Sequence, residues 1–93
     1  MKSKVPSRKF REIRCDIGTK VRLLRAGANI SQSELGRVLR LGQAAISRIE
    51  KGEQSLAAEE VYVLARFFEV SPEEIVSREL SFIEPGSTGN RSN

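Results

Sequence analysis

Apolar residues recur at intervals of three and four along this chain, and that spacing restricts the fold class more than any other feature. Ile13, Ile17, Val21 and Leu24 are separated by four, four and three residues, which places them on one face of a helix. No segment shows the sustained alternation of apolar and polar residues expected of a half-buried strand. The sequence therefore predicts an all-α fold whose first helix covers residues 11 to 27, with Asn29 tolerating the left-handed conformation that ends helices.

Local capping signals predict where a second and a fifth helix begin. In "SQSEL", the Ser31 hydroxyl can accept from the amide three residues later while Glu34 reaches back to the Ser31 amide, which is a capping box. In "VSPEE", Ser71 precedes Pro72, a residue favoured in the first helical position. The second helix must stop near residues 40 to 42, where the apolar phase breaks and a glycine follows.

The stretch "GQAAISRIEKG", residues 42 to 52, predicts the third helix. A fourth is marked by apolar residues spaced three, one and three apart, namely Val61, Leu64, Ala65 and Phe68. A chain of 93 residues suffices for one domain with a small core. The prediction is thus a compact five-helix bundle.

Charge is distributed unevenly along the chain. Residues 1 to 49 contain 12 Lys and Arg against 3 Asp and Glu, a net +9, whereas residues 50 to 93 contain 4 against 9, a net −5. A basic half suits a protein that turns one face to a polyanion. A chance imbalance of solvated surface charge explains the composition equally well.

Composition also defines the expected organisation and location. We expect a flexible basic arm over residues 1 to 10, a folded domain over 11 to 83, and a disordered Gly-, Ser- and Asn-rich tail over 84 to 93. If the polyanion is DNA, the arm either follows its backbone and minor groove or only raises non-specific attraction. No run approaches the roughly 18 apolar residues of a membrane span, so a soluble cytoplasmic protein is expected, with Cys15 as a reduced thiol.

The residue types needed for most catalytic chemistry are missing. The chain has no histidine and one cysteine, hence no Cys/His metal set, and it has no glycine loop able to cradle phosphate. We therefore expect no catalytic residues, no metal site and no cofactor.

The predicted third helix has two different faces at 100° per residue. Ala45, Ile46 and Ile49 cluster on one side, as a core-facing stripe does. The other side carries a mixture of hydrogen-bonding groups and a methyl, from Gln43, Ala44, Ser47, Arg48 and Lys51. Glutamine can bond adenine, arginine can bond guanine, and a methyl can meet the thymine methyl in the major groove. When the helix is taken alone, an ordinary solvated helix face is the better explanation of this stripe.

Helix two, a short turn and helix three together form a helix-turn-helix arrangement, and here the sequence resembles a known family. Residues 17 to 76, with "SQSEL", "QAAISRIEKG" and "LARFFEVSPEEIV" in order, resemble the Cro/C1-type domain of phage repressors and bacterial regulators. The resemblance implies a lambda-repressor-like fold that binds double-stranded DNA. It implies base reading by Gln43, Ala44, Ser47 and Arg48, phosphate contacts by Gln32, Arg37, Arg40 and Lys51, and a structural ion pair between Arg25 and Glu50.

The turn departs from the family pattern at two positions. Arg40 lies where the family usually has glycine, and Gly42 lies where a Ser or Thr usually caps helix three. A left-handed arginine is strained by about 1 to 2 kcal/mol. We therefore expect Gly42 to take the unusual backbone conformation, shifting the turn by a residue or two.

The expected function is sequence-specific regulation of transcription, as a repressor that binds a palindromic operator as a homodimer. Four apolar residues near the C-terminus are the predicted dimer interface, namely Ile75, Leu80, Phe82 and Ile83. The same residues would alternatively cover the monomer's own core. A second functional hypothesis is an antitoxin or adaptor subunit whose segment from Leu80 onward binds a partner protein.

Overall fold

The computed structural model describes residues 6–77, which form five α-helices and no β-strand. The helices are α1 (Ser7–Gly27), α2 (Gln32–Leu39), α3 (Gln43–Glu50), α4 (Ala58–Phe68) and α5 (Pro72–Val76). Their number and order confirm the predicted all-α five-helix architecture. The predicted tail over 84 to 93 lies outside the described residues.

Helix α1 begins at Ser7, four residues before the predicted start. Pro6 is its extended N-cap, and Lys9 forms an ion pair with Glu12 on the next turn, with Nζ and Oε1 3.2 Å apart. The prediction had assigned residues 7 to 10 to a flexible arm because they are basic. Lysine and arginine are good helix formers, so positive charge alone does not mark the helix boundary, and the earlier start corrects that expectation. Residues 1 to 5 of the predicted arm are not among the described residues.

The capping residues of α2 and α5 act as the sequence predicted. The Ser31 hydroxyl accepts from the Glu34 amide at 3.0 Å, and the Glu34 carboxylate accepts from the Ser31 amide at 2.7 Å. At α5, the Ser71 hydroxyl accepts from the Glu74 amide at 3.2 Å. These bonds satisfy amides that have no partner within the first helical turn.

Helices α1 to α4 end in the same kind of turn. Each has a residue with positive φ after its last turn: Asn29 at 61°, Arg40 at 61°, Gly52 at 80° and Glu69 at 59°. In each turn the next amide donates to the carbonyl five residues earlier, at 2.7 to 3.3 Å. This pattern is the Schellman motif, which satisfies carbonyls left over at a helix end. The prediction for Asn29 is confirmed, while only one of the four residues is glycine.

The helices enclose a small apolar core. Each of the five helices contributes at least one buried side chain to it, and the cluster comprises Val21, Leu35, Leu39, Ile46, Ile49, Leu64, Ala65 and Ile75. Lys20 of α1 and Glu50 of α3 are the buried charged residues within residues 6–77. The core thus fixes α3 against α1 and α2, with its two isoleucines as anchors.

Close approach of α1 to the C-terminal end of α3 depends on two glycines. A methyl group on Gly18 would come within 2.8 Å of the Glu50 carbonyl oxygen. A methyl on Gly52 would come within 2.6 Å of Sγ and 2.9 Å of Cα of Cys15. Because Gly52 also has positive φ, both space and backbone conformation favour glycine there. Helix α1 therefore forms the support on which α3 lies.

Candidate nucleic-acid interface

The connection between α2 and α3 is short and has a defined register. Arg40 takes the left-handed conformation, with φ 61° and ψ 40°, whereas Gly42 is extended, with φ −79° and ψ 164°. Gly42 caps α3 through its carbonyl, which accepts from the Ala45 and Ile46 amides at 3.1 and 3.3 Å. The expectation that Gly42 would take the unusual conformation is therefore wrong. The turn is not shifted, because packing of α2 against α3 overrides the local preference of arginine.

Helix α3 separates its apolar and polar residues as predicted. Ala45, Ile46 and Ile49 are buried. On the opposite side, the predicted base-reading residues Gln43, Ala44 and Arg48 are exposed and Ser47 is half-buried. The structure brings all four onto one accessible surface, which we call the α3 polar face. None of these four side chains belongs to the apolar core.

A buried ion pair ties α3 to α1. Arg25 donates from Nε to Glu50 Oε2 at 2.6 Å and from Nη2 to Oε1 at 3.1 Å, and its Nη1 donates to the Ile30 carbonyl at 2.9 Å. The Glu50 side chain is only 3% exposed and that of Arg25 is 18% exposed. Hydrogen bonding to Glu50, together with the attraction of its charge, raises the pKa of Arg25 above its ordinary value although partial burial opposes this.

Two glutamines extend this pair to the α3 polar face. Gln32 Nε2 donates to Glu50 Oε1 at 3.0 Å, and Gln43 Nε2 donates to Gln32 Oε1. The bonds run from Arg25 on α1 through the end of α3 and the start of α2 to the first residue of α3. Helix α3 is therefore held at both ends by side chains, and the Gln43 amide is oriented before any ligand arrives.

The predicted phosphate-contacting residues lie on α2 and at the ends of α2 and α3. Arg37 and Arg40 are exposed at the end of α2, Lys51 is exposed at the end of α3, and Gln32 is half-buried at the start of α2. Gln32 uses both ends of its amide within the protein. Its position therefore suits bracing of α3 as directly as it suits contact with a phosphate.

Two contacts at the end of α3 were not predicted from the sequence. Arg14 donates from Nε to the Gly52 carbonyl at 3.0 Å, and Arg48 donates from Nε to Gln54 Oε1 at 2.9 Å. The first lies beside an open depression lined by Arg11, Arg14, Cys15, Lys51, Gly52 and Glu53. The charge of the N-terminal half indicated a basic surface but not these partners.

The predicted dimer interface is only partly within the described chain. Ile75 is fully buried and belongs to the monomer core, so its assignment to an interface is wrong. An apolar residue on a short terminal helix closes the core first. Leu80, Phe82 and Ile83 lie outside the described residues. The exposed apolar side chains of the last two helices are instead Tyr62, Val63, Phe67 and Val76.

Residues 6–77 hold no group of three or more His, Cys, Asp and Glu side chains placed to bind a metal ion. No helix in that part of the chain has the length and apolar character needed to cross a membrane.

A family model described as Helix-turn-helix matches residues 21–75, a range that contains the whole of α2, α3 and the turn between them. The chain is 33% identical over 78 residues to the HTH-type transcriptional activator BcrR of Enterococcus faecalis, an alignment covering 84% of this chain and 38% of BcrR. The chain thus spans well under half the length of this relative.

Solved structures show the same fold. The P22 c2 repressor protein, in complex with the synthetic operator 9T, matches with a TM-score of 0.63 and 25% identity, over 68% of this chain and 96% of that one. The hypothetical transcription factor NHTF from Neisseria matches with a TM-score of 0.68 and 19% identity, over 90% of this chain and 94% of that one. The second likeness concerns the fold alone.

Proposed function

This chain belongs to the Cro/C1-type helix-turn-helix family, whose proteins are DNA-binding transcription regulators and not enzymes, and from that premise we propose that it is a sequence-specific repressor. In this proposal α3 enters the major groove of double-stranded DNA and α2 crosses the backbone. The observation that supports this proposal most directly is the α3 polar face: its side chains are accessible, while the rest of α3 is packed against α1 and α2. The proposed location is the cytoplasm.

Each side chain of the α3 polar face has a chemistry suited to a base edge. The Gln43 amide can bond adenine N6 and N7, the Arg48 guanidinium can bond guanine O6 and N7, and the Ala44 methyl can meet a thymine methyl. Ser47 can donate or accept. Because the bond to Gln32 already orients Gln43, less side-chain entropy is lost when the amide meets a base.

Phosphate contacts would come from the rim of this face. Arg37, Arg40 and Lys51 are exposed cations around α3, and Gln32 lies at the start of α2, where a helix N-terminus favours an anion. Such contacts set orientation and affinity on any sequence, whereas the α3 polar face selects the sequence.

We further propose that the active unit is a homodimer on a palindromic operator. One small module makes few contacts, so pairing two modules is the usual route to specificity. The exposed apolar side chains support this proposal: Val63 and Phe67 are one turn apart on α4, Tyr62 is adjacent, and Val76 ends α5. Leu80, Phe82 and Ile83, the other residues of the predicted interface, follow in the sequence and lie outside the described residues.

Sedimentation of a charged variant tests the dimer. Tyr62 is 60% exposed, so Tyr62→Lys should preserve the helical circular dichroism spectrum and give a monomer. Phe10 on α1 is 51% exposed, and Phe10→Lys serves as the matched control that should remain dimeric. A folded Tyr62→Lys dimer would contradict the assignment of this surface. A monomeric wild-type protein would favour the alternative, an antitoxin or adaptor subunit whose segment from Leu80 onward binds a partner protein.

Selection from random duplex DNA at near-physiological salt tests the function itself. Two half-sites about one helical turn apart are expected, because each protomer reads one half-site. No enriched motif, combined with weak and salt-insensitive binding, would contradict the proposal. One relative is named an activator and one neighbour a repressor, so the sign of regulation is tested by placing the selected operator over a promoter. Repression predicts a lower transcript level when the protein is added.

A further inference from the structure

Two separate hydrogen bonds connect Arg48 to the loop that follows α3. Its carbonyl accepts from the Glu53 amide at 2.8 Å, and its side-chain Nε donates to Gln54 Oε1 at 2.9 Å. The first bond belongs to the Schellman turn that ends α3. The second links an exposed arginine of the α3 polar face to a half-buried glutamine six residues later. Backbone and side chain of Arg48 are therefore both fixed by the same short loop.

The loop that carries Gln54 is itself rigidly placed. Gly52 has φ 80° and lies directly against Cys15 of α1, where even a methyl group does not fit. The Gly52 carbonyl also accepts from Arg14 Nε at 3.0 Å. These contacts attach the turn to α1 two residues before Gln54. Gln54 is consequently presented to Arg48 by the packed part of the domain rather than by a free loop.

The geometry of the bond determines which donors of Arg48 can meet a base. A guanidinium group has five N–H donors in one plane. Since Gln54 takes Nε, the two Nη groups are the donors that remain for a ligand. Two parallel Nη–H groups match the O6 and N7 acceptors of guanine. The bond also restricts rotation of a side chain that is otherwise among the most mobile.

We propose that Gln54 is a specificity-determining positioning residue, which orients Arg48 so that its Nη groups select guanine. This inference rests on the proposed function, because it requires that Arg48 faces a base. It adds a residue outside α3 to the set that determines sequence preference. Gln54 acts through Arg48 and touches no base in this assignment.

The test uses the full chain and its own selected operator. Binding affinity is measured for wild type, Gln54→Ala, Gln54→Glu and Arg48→Ala. Each protein is titrated with that operator and with its three single-base replacements at one position, namely the position at which Arg48→Ala abolishes the preference among bases. Ser55→Ala, an exposed neighbour in the same loop, is the matched control. A bidentate contact discriminates by roughly 5- to 150-fold. Loss of one orienting hydrogen bond should lower that ratio by about three- to tenfold.

The expected result is a smaller ratio of affinities, for the operator base over each replacement base, at this one position. Gln54→Ala should lose discrimination there with little change at other positions, and Gln54→Glu should retain it because the carboxylate still accepts from Nε. A uniform loss of affinity for Gln54→Ala, with the ratio intact, would overturn the inference and leave the function standing. An operator on which Arg48→Ala makes no position indifferent would overturn the inference together with the assignment of Arg48 to a base, whereas failure to select any operator would overturn the proposed function.

Discussion

Removal of Arg25 should destabilise the domain far more than removal of an exposed cation. In Arg25→Ala, the Glu50 carboxylate, whose side chain is 3% exposed in the intact pair, loses two charge-assisted hydrogen bonds, of 2.6 and 3.1 Å. It keeps the bond from Gln32. The Ile30 carbonyl loses its bond to Nη1 as well. In the variant, the negative charge of Glu50 therefore keeps only the bond from Gln32 among the three side-chain hydrogen bonds that it accepts in the wild type.

The magnitude follows from those lost bonds. A hydrogen bond to a charged group contributes about 1.5 to 3 kcal/mol, so two contribute about 3 to 6 kcal/mol. Breaking a buried pair by removing one partner costs about 3 to 5 kcal/mol, which covers the same range. A chain of this length has a free energy of unfolding of about 5 to 14 kcal/mol. We therefore expect Arg25→Ala to lose about a fifth of the free energy of unfolding or more.

Urea unfolding followed by circular dichroism at neutral pH measures the effect. Lys9→Ala is the matched control, because it removes a lysine from an ion pair whose side chains are 45% and 48% exposed, for which about 0 to 1 kcal/mol is typical. Arg25→Met combined with Glu50→Leu should recover part of the loss, since no buried charge is left unpaired. If Arg25→Ala and Lys9→Ala lose the same small free energy, the ion pair is not what holds α3.

Three further predictions concern the packing of Gly52, the backbone strain at Arg40 and base recognition by Arg48. Gly52→Ala should lower stability by at least 1 to 2 kcal/mol in urea unfolding, since roughly that is the cost of a left-handed alanine and its methyl also meets α1; unchanged stability would refute the packing argument. Arg40→Gly should raise stability by about 0.5 to 1 kcal/mol by relieving positive φ, whereas Arg37→Gly, inside α2, should lower it by about 1 kcal/mol, and the reverse order would refute the strain argument. Arg48→Ala should cost about 1 to 3 kcal/mol at one operator position in binding titrations, whereas Lys51→Ala should weaken all sequences alike; equal losses for Arg48→Ala on every sequence would refute base reading.

Features with a local cause could be predicted from the sequence. Ser31 and Ser71 cap the starts of α2 and α5 because a serine hydroxyl can accept from the amide three residues later, which is a signal that the local sequence contains. The helical spacing of apolar residues likewise located the buried face of α3. The roles of Arg25 and Glu50 came from the resemblance to a family, since nothing local connects residues 25 positions apart. The structure places the two within hydrogen-bond distance.

Features decided by packing could not be predicted. Arg40 and Glu69 take left-handed conformations that neither residue prefers, because the helices on both sides fix the direction of the chain. Ile75 has the same apolar character whether it covers its own core or a partner. The bond from Arg48 to Gln54 depends on the direction in which the Gly52 turn leaves α3, and charge patterns contain no information on that direction.

The central claim is that the α3 polar face reads bases, and a thermodynamic cycle on Arg48 tests it most directly. Wild type and Arg48→Ala are titrated against the selected operator carrying either guanine or 7-deazaguanine, which lacks the N7 acceptor, at the position assigned to Arg48. The account predicts that the modified base weakens wild-type binding and leaves Arg48→Ala unaffected, a coupling of about 1 kcal/mol or more. Equal losses for both proteins, and therefore no coupling, would contradict it.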